Sequence, residues 1–223
     1  MSNATAGLKA DNPFSSPSTL PLQAPAFDTI REEHYVPAFE AGMEQHLAEV
    51  RAIATQSEAP TFANTIEAME KIGEVLERVA YVFFNLTGST VTAGLQKIQA
   101  EVSPKLSGHR DAIWLDSELF ARVQAIYEDR AGLDPEQQQL TERYHTSFVR
   151  SGALLDDAKQ QRIRELNEQA AKLTPKFQER LLADTKALAV VIDTKEELAG
   201  LSESDISAAS DAAEEAGHAG KFL

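Results

Sequence analysis

The sequence contains no cysteine and no long hydrophobic run, and these two absences exclude several classes of protein. Without cysteine there is no disulfide bond, no thiol nucleophile and no zinc site built from thiolates. The most apolar stretch, residues 188–192, is far shorter than the roughly 18 apolar residues that mark a transmembrane helix. The lack of cysteine fits the cytoplasm, and a periplasmic location stays open if a signal peptide has been removed.

Basic residues are also scarce: 21 Lys and Arg stand against 35 Asp and Glu, which gives a formal net charge of −14. Nucleic-acid binding depends on clustered cations that release counterions from phosphates, so we expect no nucleic-acid partner. The missing apolar span predicts no membrane partner.

The first 27 residues lack helical periodicity. Residues 1–10 include SNA, a common remnant of a removed tag, and show no secretory signal. Residues 11–27 carry four prolines and are predicted to form an extended arm, with Leu20, Leu22 and Phe27 as its candidate anchors.

Helices are predicted over residues 28–186, at about 32–56, 64–88, 92–113, 116–127, 134–151 and 156–186, because apolar residues recur there three and four positions apart. Asn64, Asp116 and Asp134 are predicted N-caps. Pro104 and Pro175 are expected to kink or split their helices. The last helix carries an apolar stripe typical of packing along another long helix, formed by Ile163, Leu166, Ala170, Leu173, Phe177 and Leu181.

The final segment, residues 187–223, changes character. Residues 188–193 are β-branched and apolar, which predicts a buried strand. An acidic helix should follow with Ser202 as its cap and Asp205 three residues later, and a second strand is predicted from Lys221 onward. The predicted fold is therefore mainly α, an antiparallel helical bundle with long helices that ends in a small, incomplete strand–helix–strand element. The predicted regions are 1–27, 28–186 and 187–223.

No catalytic or metal-binding residue is assigned from the sequence. The histidines are His34, His46, His109, His145 and His218, and no two lie four residues apart as in the H-E-x-x-H zinc motif. There is also no G-x-S-x-G elbow, P-loop or G-x-G-x-x-G motif. His34 and His145 are interpreted as surface or partly satisfied side chains.

Tyr81 and Phe84 stand off the apolar stripe of the second predicted helix, which leaves two interpretations open. The helix is either buried on two sides within the bundle, or these aromatic side chains face an interdomain contact or a channel outside this chain.

The order of segments resembles the N-terminal part of bacterial peptidyl-dipeptidases, in the zinc metallopeptidase family of thimet oligopeptidase and oligopeptidase A. The resemblance covers nearly all of residues 12–223. It rests on NPF, HYVPAFEAGMEQHLAEV, PTFANTIEAMEKIGEVLERV, VFFNLT, LDSELFARVQAIY, QQQLTERYHTSFVRSGA, LNEQAAKLTPKFQERLLADT and LAGLSESDISAASDAAEEAGHAGKFL. HYVPAFEAGM, VFFNLT and ELFARV favour the peptidyl-dipeptidases over oligopeptidase A.

This resemblance implies a much longer enzyme that removes C-terminal dipeptides from short oligopeptides. Its zinc would be held by H-E-x-x-H and a later glutamate, neither of which this sequence contains. The chain would then form one side of the substrate channel, pair with a missing catalytic domain and be inactive alone, with no zinc at a catalytic site. The alternative is a stand-alone helical scaffold or protein-interaction module without catalysis.

Overall fold

The computed structural model describes residues 7–90 and 92–223, and this part of the chain is mainly helical, as predicted. The α-helices are α1 (Tyr35–Thr55), α2 (Glu67–Met69), α3 (Glu74–Ser89), α4 (Ala93–Trp114), α5 (Ser117–Glu128), α6 (Pro135–Ser151), α7 (Asp157–Ala187) and α8 (Glu203–Glu215). Short 3₁₀ turns lie at Pro21–Gln23, Glu32–His34, Arg130–Gly132 and Lys195–Leu198. The antiparallel order of the helices stays a prediction.

Two compact units make up the described chain, one that runs to Pro175 and one from Lys176 to Leu223. This division falls inside the continuous helix α7. The region boundary that the sequence places near residue 187 stays a prediction.

Helix α1 is the central element of the first unit and contacts α3, α4 and α5. Tyr35 and Phe39, in its first half, pack with buried residues of α3 and α4 in one apolar cluster. Val50 and Ile53, in its second half, pack in another cluster with residues of α4, α5 and α6. One helix therefore supplies a face to both cores, which couples them through its backbone.

The contact between α1 and α3 is unusually close at Gly42. A Cβ atom on this glycine would lie 2.9 Å from both the Cα and the backbone nitrogen of Leu76. Real Cβ atoms do not approach backbone atoms so closely, so the two helices can meet here only because residue 42 has no side chain.

The proline-rich arm is anchored by Phe14 and not by the residues predicted from sequence. The Phe14 ring is buried, and its centroid lies 5.5 Å from that of the Tyr35 ring. The backbone carbonyl oxygen of Phe14 accepts a hydrogen bond of 2.8 Å from Arg78. The predicted anchors Leu20, Leu22 and Phe27 are exposed. Leu8, within the segment interpreted as a tag remnant, is buried in the same cluster.

The helix predicted from Asn64 to residue 88 is two helices, and its N-cap is Thr61. The Thr61 hydroxyl accepts from the Asn64 backbone N–H at 3.1 Å, and the Asn64 side chain accepts in return from the Thr61 N–H at 2.9 Å. A π-helical turn, Phe62–Ile66, leads into α2. Gly73 then takes a φ of +84° immediately before α3, a left-handed conformation that glycine adopts readily.

A buried arginine of α5, Arg122, holds the segment from Glu58 to Thr65 against that helix. Arg122 donates from Nε to the Thr65 hydroxyl at 3.2 Å, from Nη2 to the Asn64 amide oxygen at 2.9 Å and from Nη1 to the Glu58 carbonyl at 3.0 Å. Asn64 is thus occupied by the Arg122 guanidinium and the Thr61 N–H, which explains why it does not serve as the cap.

The two other N-caps predicted for the helices of the first unit form as expected. Asp116 and Asp134 cap α5 and α6 as predicted, accepting from the N–H groups of Leu119 and Gln137 at 2.7 Å and 2.9 Å.

Pro104 and Pro175 do not split their helices, since α4 and α7 each remain continuous. The apolar stripe of α7 is largely exposed, and no long helix of the described chain packs along it.

The second unit does not contain the predicted buried strand. Only Ile192 pairs with Phe222, through a single antiparallel bridge with N···O distances of 2.8 Å and 3.0 Å. Leu188 and Val190 are 78% and 71% exposed. Helix α8 forms as predicted, with Ser202 accepting from the Asp205 N–H at 3.2 Å. Two short extended segments alone give no sheet face on which apolar side chains could be buried.

We expect Gly42→Ala to lower the free energy of unfolding by about 2 kcal/mol or more, because the new Cβ atom must push α1 away from the α3 backbone. Urea unfolding followed by circular dichroism measures this change.

Gly108→Ala is the matched control, since Gly108 lies inside α4 with no atom within 4 Å of the added Cβ. It should raise stability by about 0.5–1 kcal/mol, because alanine is the better helix former. Equal effects of the two substitutions would contradict the close approach.

Candidate functional site

The two aromatic residues singled out from the sequence lie on α3, and they line different cavities. Their neighbour Phe83 is fully buried against α1, with its ring 5.4 Å from the ring of Phe39. Tyr81 is 73% exposed and Phe84 is 42% exposed, so α3 is buried on one main side only. Whether either residue faces a channel or another domain stays a prediction.

Tyr81 lines a cavity of about 750 Å³ between α3 and the N-terminal arm. The arm contributes Phe14 and the prolines around it, and α3 contributes Glu74, Glu77 and Arg78. Because Arg78 already donates to the Phe14 carbonyl, its cation serves to hold the arm on α3. The remaining charge of this cavity is acidic.

Phe84 lines a second cavity of about 700 Å³, which we call the α3–α7 groove. Its walls come from the C-terminal part of α3, from α4, from the end of α6 and from the first half of α7. They combine the apolar side chains of Phe84, Leu106, Trp114 and Ile163 with several polar groups. Trp114, the only tryptophan of the chain, is held by ring contacts of 4.7 Å to Phe148 and 6.0 Å to Tyr144.

Three charged side chains line the α3–α7 groove: Arg110 on α4, Asp111 on α4 and Arg150 at the end of α6. Asp111 is buried, and its Oδ1 accepts a hydrogen bond of 2.7 Å from the Asn167 amide. Neither guanidinium has an ion pair or hydrogen bond within residues 7–90 and 92–223. No local pattern in the sequence predicts that Arg110 and Arg150 line the same groove, because they lie on different helices.

The structure brings together two histidines that the sequence places 63 residues apart. His46 Nδ1 lies 3.1 Å from His109 Nε2, so one ring donates a hydrogen bond to the other. His109 is buried, and its second nitrogen, Nδ1, has no partner among the described residues. A search for histidines four residues apart on one helix misses such a pair, because α1 and α4 contribute one ring each.

Burial keeps this histidine pair neutral. Desolvation, helped by the neighbouring His46 ring, lowers the pKa of His109 to about 4. Desolvation also lowers the pKa of His46, and the carboxylates of Glu49 and Glu77 oppose that shift in part. The pair therefore stays uncharged at neutral pH.

The remaining histidines of interest are held by ordinary contacts, in line with their interpretation as surface or partly satisfied groups. His145 stacks on Tyr127 with ring centroids 3.9 Å apart and lies 2.7 Å from the Gln124 side-chain oxygen. His34 Nδ1 accepts from the Arg31 backbone N–H at 3.0 Å.

No group of three or more histidine, aspartate or glutamate side chains is placed to hold a metal ion in the described part of the chain. Within the same residues, none of the helices combines the length and the apolar composition that a bilayer crossing requires.

Curated proteins similar to this chain are peptidases. A dipeptidyl carboxypeptidase of Escherichia coli (strain K12) is 44% identical over 214 residues, which cover 95% of this chain and 31% of the relative. A dipeptidyl carboxypeptidase of Salmonella typhimurium is 40% identical, covering 92% of this chain and 31% of the relative. Oligopeptidase A of Escherichia coli is 24% identical, covering 90% of this chain and 30% of the relative.

These similarities confirm the resemblance inferred from the sequence segments. No protein-family model matches the chain. The chain spans about 31% of the length of the two dipeptidyl carboxypeptidases.

Acidification should destabilise the first unit through His109. In an unfolded chain this histidine titrates near its ordinary pKa of about 6.5, whereas in the fold it titrates near 4. The stabilisation is therefore present above about pH 6.5 and is lost as the pH falls toward 4. We expect a loss of about 2 kcal/mol in unfolding free energy between pH 7 and pH 5, measured by urea titration.

His109→Gln should remove most of this pH dependence, because glutamine cannot take up a proton. His218→Gln, at an exposed position, should leave it as in the parent chain. A His109→Gln variant with the parent's full pH dependence would show that the buried pair is not the titrating group.

Proposed function

Because this chain is homologous to an N-terminal portion of dipeptidyl carboxypeptidases, we propose that it is part of a zinc-dependent peptidyl-dipeptidase. The complete polypeptide would remove C-terminal dipeptides from short oligopeptides in the cytoplasm. This chain would form one wall of the substrate channel and would not cleave peptides alone. The observation that carries the proposal is the 44% identity to a dipeptidyl carboxypeptidase across 95% of the chain.

The comparison of identities favours this specificity over that of oligopeptidase A. The two Escherichia coli relatives match nearly the same share of the chain, but their identities are 44% and 24%. Substitutions are thus far fewer toward the dipeptidyl carboxypeptidase over the matched length of the chain.

Zinc would be held outside this chain. The sequence has no H-E-x-x-H motif, and the described residues offer no cluster of three metal-ligating side chains. The catalytic base and the zinc ligands are therefore assigned to the remaining polypeptide, and the contribution of this chain is to shape access to them.

Several large apolar side chains exposed in the second unit support a role for this chain as part of a larger assembly. Phe177 is 67% exposed, and Leu181, Leu188 and Val190 are exposed as well. Isolated exposed leucines are common, but several large apolar side chains within about 14 residues are typical of a surface that another protein segment covers. We assign that role to the missing catalytic domain.

The direct test is to express the complete polypeptide encoded around this sequence and to assay dipeptide release from N-blocked oligopeptides. We expect release that a zinc chelator abolishes and added zinc restores, and no release by residues 1–223 alone. Chelator-sensitive cleavage by residues 1–223, or an inactive zinc-loaded complete polypeptide, would refute the proposal. If the gene ends after Leu223, the chain is instead a stand-alone helical interaction module.

Phe177→Ser should have different effects on stability in residues 1–223 and in the complete polypeptide. In residues 1–223 the ring is largely in solvent, so the substitution should change stability by less than about 0.5 kcal/mol. In the complete polypeptide it should cost about 2 kcal/mol or more if the catalytic domain covers the ring. Denaturant unfolding of both proteins gives the two values.

Glu179→Ser is the control on the same helix, since its side chain is exposed and charged. It should have a small effect in both proteins. Equal, small effects of Phe177→Ser in both proteins would mean that the catalytic domain does not cover this surface.

A further inference from the structure

The cavity beside Tyr81, which we call the α3–arm cavity, has the size of a small-molecule site. Its volume of about 750 Å³ falls within the range of roughly 300–1,000 Å³ that is usual for such sites. One wall is α3, and the opposite wall is the N-terminal arm with the rings of Pro13, Pro17 and Pro25. Both walls belong to the first unit.

Three carboxylates line the α3–arm cavity, and they come from both of its walls. Glu74 and Glu77 lie in the first turn of α3, and Asp28 directly follows the arm. None of the three has an ion pair among the described residues. Within residues 7–90 and 92–223, Arg78 is the only basic residue of the lining, and its Nη1 already donates to the Phe14 carbonyl oxygen. The lining therefore carries an excess of negative charge.

The rest of the lining is largely apolar and includes an aromatic ring that the core does not use. Tyr81 is 73% exposed, while its neighbour Val82 is buried. The face of an aromatic ring attracts ammonium groups, and the methylene segments of a cationic chain pack on apolar surface such as proline rings. The cavity thus suits a ligand that combines several cationic groups with apolar segments between them.

We propose that the α3–arm cavity binds a linear aliphatic polyamine, a chain of ammonium groups joined by short methylene segments. The ammonium groups match the carboxylates of Asp28, Glu74 and Glu77, and the methylene segments contact Tyr81 and the proline rings. Because the carboxylates come from both walls, one bound molecule would join the arm to α3. A compact inorganic cation fits this lining less well, since it would leave the apolar rings uncovered.

This site goes beyond the proposed function and does not rest on it. It shares no lining residue with the α3–α7 groove. Its ligand is neither a peptide nor a metal ion, so binding needs no zinc and no catalytic domain.

Isothermal titration calorimetry of spermidine into residues 1–223 tests the proposal directly. All amines of spermidine are protonated at neutral pH. We expect saturable binding of one molecule per chain. Propylamine, which has a single ammonium group, and magnesium chloride, which has no apolar part, should each bind about tenfold more weakly or less.

Asp28→Asn and Glu74→Gln, one on each wall, should each weaken spermidine binding about fivefold or more and leave the circular dichroism spectrum unchanged. Glu142→Gln is the matched control, because Glu142 is an exposed glutamate of α6 that does not line the cavity. It removes the same charge from an acidic chain and should bind as the parent does.

Tyr81→Ala should weaken binding about threefold to tenfold, because the ring face is lost. Tyr81→Phe keeps the ring and should bind nearly as the parent does. Since the Tyr81 side chain is largely exposed, neither substitution should disturb the fold, and circular dichroism checks this.

Several outcomes would overturn the proposal. Equal binding of spermidine, propylamine and magnesium would show only the general attraction of cations to an acidic chain. Parental affinity in the Asp28, Glu74 and Tyr81 variants, or no saturable heat up to roughly 10 mM spermidine, would also contradict it. N-acetyl-Lys-Lys-Lys-amide tests the other source of linked ammonium groups, and binding as tight as that of spermidine would assign the cavity to basic peptide segments instead.

Discussion

The close approach of α1 and α3, at Gly42 and Leu76, fixes the geometry on which the first unit depends. Since α1 supplies side chains to both apolar clusters, its distance from α3 determines how Phe39 and Phe83 pack in the first cluster. The same helix carries Val50 and Ile53 into the second cluster. A side chain at residue 42 would therefore disturb both cores, even though the contact itself involves a single position.

This packing also determines what α3 offers to its surroundings. With Val79, Val82 and Phe83 turned into the core, Tyr81 and Phe84 lie outside it and line two separate cavities. The cavity beside Tyr81 is acidic apart from a cation that holds the N-terminal arm. The groove beside Phe84 contains Asp111 and two arginines that have no ion pair among the described residues, so the two cavities differ in the ligands they could accept.

Local signals in the sequence were reliable where a few neighbouring residues decide the structure. Asp116, Asp134 and Ser202 cap their helices as predicted, because a side chain three residues from its partner N–H needs no tertiary contact. The prediction failed at Asn64, whose amide is engaged by Arg122 from a distant helix. It also failed for the strand at residues 188–193, since β-branched composition cannot supply a partner strand or a surface to cover it.

The sequence by itself determined the helical character of the chain, most helix ends and the relationship to dipeptidyl carboxypeptidases. Periodicity, capping residues and the order of segments can all be recognised from the linear order of residues. Only the tertiary structure decided that His46 meets His109, that Phe14 anchors the arm and that Arg110 and Arg150 share a groove. These residues lie on different elements, and their proximity follows from how α1, α3, α4 and α6 pack. Side chains that are far apart in the sequence carry no local mark of the contact they will make in the fold.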